Sequence, residues 1–72
     1  MGRGINVVVL DKAGNYLLSK NFDTADVHHA VKEGKRLSKF LDELPNERIV
    51  AIASLESVGM SLFYTNVLFL FV

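Results

Sequence analysis

Residues 5–10, INVVVL, are apolar at every position except Asn6 and rich in β-branched side chains. Apolar residues on both faces are the pattern of a strand covered on both sides, not of one at an edge. Residues 11–15, DKAGN, interrupt the run. An Asp that opens a turn accepts backbone N–H bonds, and Gly14 tolerates the positive φ that closes it. Residues 16–22, YLLSKNF, then return as the second strand of an antiparallel hairpin. Ser19, Lys20 and Asn21 bring polarity into that strand and put it near a sheet edge.

The period changes after Phe22. Asp23, Thr24 and Asp26 are three candidate helix N-caps within four residues. From there to Leu44, apolar or small residues fall at Ala30, Gly34, Leu37, Leu41 and Leu44, with Phe40 beside them. Steps of four, three, four and three form one stripe on an α-helix. Lys32, Glu33, Lys35, Arg36, Lys39, Asp42 and Glu43 make the wet face. Gly34 within the stripe costs about 1 kcal/mol relative to Ala, and reads as a close approach of helix to sheet. Pro45 ends the helix, because proline cannot continue the hydrogen-bond ladder.

Residues 49–53, IVAIA, are a third strand of the covered, central kind. If it joins the hairpin's sheet, the helix is the crossover from the second strand. The pattern then loses its period until residues 62–72, LFYTNVLFLFV, which read as a C-terminal strand. Together these elements predict an α+β fold. It has a β-hairpin, one amphipathic helix packed on a small mixed sheet, a central third strand and the C-terminal strand.

Seventy-two residues allow one domain of marginal stability, and half of them are hydrophobic, enough for a core. Eight Lys/Arg balance eight Asp/Glu. Nucleic acid, which needs a basic face, is therefore not an expected partner. With no Cys, neither disulfides nor thiolate metal sites staple the fold. No secretory leader opens the chain, so work outside the cell would require a leader beyond these residues. The apolar tail at residues 60–72 is 13 residues long. That is short of the ~17–25 needed for a membrane-spanning helix.

Few residues point to chemistry. His28 and His29 are adjacent, so on a helix they diverge by about 100° and cannot chelate one ion together. Their plain reading is a pair of solvated first-turn histidines. Asp11, Asp23 and Asp26 could supply carboxylates for Mg²⁺ or acid/base work, as in nucleases that begin with a β-hairpin. Turn and cap positions give Asp a local backbone role instead, and the strands that would hold such a site carry no carboxylates. The Gly2-Arg3-Gly4 segment precedes a strand instead of opening a helix, so it lacks phosphate-loop geometry. No Ser has a His and acid arranged beside it. No cofactor and no catalysis are expected.

The residues do resemble a family. Residues 3–10, RGINVVVL, followed by Gly14 in the turn and by Phe22-Asp23-Thr24, are similar to the opening of ILEI/PANDER (GG) domains. Residues 37–41, LSKFL, then Leu44-Pro45 and Arg48-Ile49-Val50, continue the likeness, which covers about residues 2–54. The resemblance implies a non-catalytic extracellular or lumenal module. Such modules occur in secreted cytokine-like proteins, in hyaluronan-related proteins and in the stem of a glycosyltransferase, where the module is similar to a lectin. It therefore implies a glycan as partner, or alternatively an extracellular protein, with self-association through a sheet edge. In the glycan-binding member, the arginine of the opening motif and an acidic residue after the third strand contact sugar. Arg3 matches the first directly, and Glu56 stands loosely where the second belongs. A further arginine of the family pattern has no counterpart near Phe63-Tyr64-Thr65-Asn66. The family's second helix is missing too, so the single domain of residues 1–72 reads as truncated or divergent after residue 54. A shortened product is favoured, because eleven residues as apolar as 62–72 are an aggregation hazard when uncovered.

Overall fold

The computed structural model describes residues 3–58 and 61–72, and the side-chain surroundings of residues 3–55 and 68–72. Four strands and one helix follow in the order β1 (Gly4–Asp11), β2 (Tyr16–Phe22), α1 (Ala30–Asp42), β3 (Arg48–Val58) and β4 (Ser61–Phe71). The strands form one sheet in the order β2-β1-β3-β4, and every ladder is antiparallel. The class is α+β.

The turn between β1 and β2 is built as its residues dictate. Asp11 Oδ1 accepts from the backbone N–H groups of Ala13 and Asn15, both at 2.9 Å. Its Oδ2 accepts from the Asn15 side-chain amide at 3.1 Å. Gly14 sits at φ +90°. One residue, Leu17, is extra where the register shifts between Val9↔Leu18 and Leu10↔Tyr16.

The mixed sheet expected from the sequence does not form. β2 and β3 do run parallel, joined by the α1 crossover, but β1 lies between them and pairs antiparallel with both. No parallel ladder therefore arises. β2 is an edge strand, as its polar residues require, and β3 is central.

Register assigns the faces, because directly opposed residues share one. Val7 and Val9 lie opposite Ile52 and Val50. Val7, Val9 and Val50 form the buried core with Phe22, and Ile52, Leu37, Phe40, Leu41 and Leu44 pack against it. The Phe22 and Phe40 rings are 5.8 Å apart, tilted by 52°. No residue of α1 is fully buried. The opposite face bears Val8, Leu10, Ile49 and Ala51, all half-buried, and Phe69 and Phe71, both 68 % exposed. Among the described residues no element packs on it. Among the described residues, α1 thus covers one face of β1 and β3, while on the other face Asn6 and Leu55 are buried at one end. The apolar runs of both strands are continuous, but one helix shields only one side.

The helix departs from expectation in two places. It starts at Ala30, and its N-cap position is His29, which makes no side-chain capping bond. Asp26 instead organises the preceding turn. Gly34 marks no close approach, since a Cβ built there would meet nothing within 4 Å. The helix reaches the sheet through its C-terminal half, from Leu37 onward.

Residues 62–72 extend the sheet as most of β4, paired with β3 from Ile49↔Phe71 to Val58↔Ser61. Reciprocal backbone bonds of 2.9 Å between Arg48 and Val72 close that end. Among the described residues, no helix is long and apolar enough to cross a membrane.

Candidate ligand-binding site at the start of the first strand

The hairpin register sets the geometry of this end. Ile5 opposes Phe22, so the residues just before β1 lie beside those just after β2. Gly4 makes the approach possible. It adopts φ +92°, and a Cβ there would sit 2.5 Å from the Phe22 carbonyl oxygen and 2.9 Å from the Thr24 nitrogen. No other residue type fits such a gap without moving backbone.

Arg3 is consequently held against Asp23. Its Nε donates to Asp23 Oδ1 at 3.1 Å and its Nη2 to Oδ2 at 3.2 Å, the paired geometry that suits a guanidinium and a carboxylate. The Arg3 carbonyl accepts from the Asn21 side-chain amide at 3.1 Å. The same amide donates to Asn6 Oδ1 at 3.0 Å, tying the buried Asn6 into the cluster. Hydrogen bonding to Asp23 holds the guanidinium above its ordinary value, with the charges of Asp23 and Asp26 in support. The Arg3 side chain is still 48 % exposed. Two of its five N–H donors go to Asp23, and none of the described residues engages the other three.

Asp26 forms a second small cluster. Its Oδ1 accepts from the His28 backbone N–H at 2.9 Å, and its Oδ2 lies 2.9 Å from His29 Nδ1. A carboxylate only accepts, so the imidazole nitrogen supplies the proton. These bonds, the His29 side chain's first, hold the Asp26 carboxyl below the usual range. His29 is thus occupied by a local turn and His28 is exposed. Among the described residues, no three His, Asp or Glu side chains gather as metal ligands.

Glu56 lies in β3, opposite Phe63 of β4. Gly4 pairs with Leu55, so Arg3 and Glu56 each stand one residue beyond the last β1–β3 pair, at the same end of the sheet. The side chain of Glu56 falls outside the described residues. Asp23 is the residue that sequence reasoning placed in the wrong role, as a helix cap. The signal that finds it is the hairpin register, which aligns Arg3 with the residue after β2.

A family model described as Interleukin-like EMT inducer matches residues 3–68. The chain belongs to the ILEI family. The match starts at Arg3 and continues past residue 54 into β4, so the family pattern includes the last strand. No curated protein and no solved structure matches the chain. Within the ILEI pattern, the opening Arg-Gly pair acquires a physical reason. The glycine lets β1 pass against the end of β2, and the arginine is positioned by the acid found there.

Proposed function

We propose that this ILEI domain is a non-catalytic carbohydrate-binding module of the extracellular space or secretory-pathway lumen, with Arg3 and Glu56 contacting the glycan. The observation that carries this reading is the posture of Arg3. Its guanidinium is fixed through two donors, and none of the described residues engages the other three, which suit a ligand's oxygens. Fixing a long side chain in advance removes part of the entropy cost of binding. An acidic position at the same end of the neighbouring strand supplies the acceptor that sugar hydroxyls need, as the family likeness implies. Nothing in the arrangement requires a cofactor.

The test is a glycan array probed with the wild-type chain, Arg3→Ala and Glu56→Gln. The reading requires a wild-type signal that Arg3→Ala abolishes while circular dichroism stays unchanged. An array on which the wild-type protein finds no glycan refutes it.

A second reading is a cytokine-like protein-interaction domain that associates through its sheet edge. It is favoured by β4, an unpaired edge where Leu68, Phe69, Leu70 and Phe71 are all exposed. Sedimentation of the wild type against Leu70→Lys would reveal it as concentration-dependent association that the variant loses.

A further inference from the structure

The outer face of α1 carries a concentration of positive charge that the ligand site at Arg3 does not use. Four of the chain's eight Lys/Arg fall in eight residues: Lys32, Lys35, Arg36 and Lys39, with Glu33 the one acid among them. At about 100° per residue, the four lie within an arc of roughly 100°, turned away from Leu37 and Leu41. With His28 and Val31 they line an open groove of about 510 Å³.

The spacing is the informative part. Lys32 and Arg36 are four residues apart, as are Lys35 and Lys39, so like charges stack as repelling neighbours on successive turns. An ordinary solvated face alternates sign at that spacing. Compensation is uneven. Arg36 pairs with Glu33, at 2.7 and 2.9 Å, and its guanidinium lies 5.6 Å from the Phe22 ring centroid. Lys39 reaches Glu43 only at 3.9 Å, with both side chains mostly exposed. Lys32 and Lys35 are exposed and form no ion pair among the described residues. The row spans about 10 Å along the helix axis.

We propose that this stripe of α1 binds a linear sulfated polysaccharide, whose sulfates relieve the repulsion between successive turns. The argument is independent of the reading of Arg3. Charge complementarity requires a polyanion, and the surroundings select among polyanions. A helix that lies on a membrane inserts an apolar face. Here the apolar residues of α1 are packed on the sheet, leaving only Val31 beside the stripe. Binding of single-stranded nucleic acid uses aromatic platforms, and none lines this groove. A sulfated sugar chain needs neither, only cations repeated at a short stride.

The probe is heparin, immobilised for retention and free for titration, with the wild-type 72-residue chain. Binding should weaken roughly 60- to 250-fold between 50 and 200 mM salt, as about three to four released counterions require. Lys32→Gln/Lys35→Gln should lose at least tenfold in affinity with its circular dichroism spectrum unchanged. Lys12→Gln, in the hairpin turn, should bind as the wild type. Any one of several results overturns the proposal: no heparin binding by the wild type, a double variant that binds normally, or an equal loss in Lys12→Gln. Equal affinity for phosphatidylcholine vesicles containing phosphatidylserine, or for an acidic protein such as ovalbumin, would refute a sulfated polysaccharide as the specific partner.

Discussion

Replacing Gly34 with alanine tests the packing of α1 directly. Glycine in a helix interior is less favourable than alanine by roughly 0.8–1.0 kcal/mol, because it has more backbone freedom to lose on folding. Gly34 is the fifth residue of the thirteen in α1 and lies well inside it. A Cβ there meets no atom within 4 Å. No clash reduces the gain and no new contact adds to it, so the whole propensity difference should appear as stability. For 72 residues at about 2.1 cal/mol/K each, the unfolding entropy near the midpoint is about 150 cal/mol/K. The substitution should therefore raise Tm by about 5–7 °C, read by circular dichroism at 222 nm. Urea melts should shift to higher midpoint with an unchanged slope. A lower Tm would refute the reasoning, since only a helix seated closer to the sheet at residue 34 would make the added methyl costly.

The same chemical change at Gly4 should have the opposite sign. Its φ of +92° and the 2.5 Å approach to the Phe22 carbonyl make Gly4→Ala destabilising by roughly 1–3 kcal/mol, visible as a lower urea midpoint. Phe22→Ala removes the largest fully buried side chain among the described residues and should cost about 3–5 kcal/mol. Domains of this size hold only about 4–11 kcal/mol in total, so its melt should be shifted far down or lost. Acid should act through two carboxyls. Asp11, whose largest cause is the Asn15 backbone N–H, and Asp26, whose largest is His29, both lie below their ordinary values when folded. Their contributions are present above the unfolded value near 3.9 and are lost as pH falls through the lower folded values. Carboxyl carbon shifts followed by NMR should show both titrating below that value, and Asp11→Asn should flatten the acid limb of the stability profile.

Much of the architecture was legible because it depends on local rules. Asp11 and Gly14 can close a turn wherever they occur in that spacing, and the polar residues of β2 belong at an edge in any sheet. The stripe from Leu37 to Leu44 names its own buried face. Other features were not legible because they depend on what lies opposite in space. The apolar runs of β1 and β3 look alike whether one face or both are covered, and among the described residues the one helix lies on a single face. Gly34 in a stripe signals close approach only if the helix lies flat, and α1 meets the sheet through its C-terminal half.

The site divides in the same way. Arg3 and Gly4 are visible as a motif, and Glu56 as a looser one, since motifs are properties of order along the chain. That Asp23 holds the Arg3 guanidinium, and that Gly4 must be glycine to let it, follows only once the hairpin register sets the two strand ends side by side. The cationic residues of α1 were likewise legible as a wet face. Their stacking as like charges on successive turns gains meaning only because folding turns the apolar side inward and leaves Lys32 and Lys35 without an ion pair among the described residues. Turns, strands and helix faces arise from interactions within a few residues, which one chain read in order contains. Contacts between residues twenty positions apart depend on strand order and register, which packing of the whole domain decides.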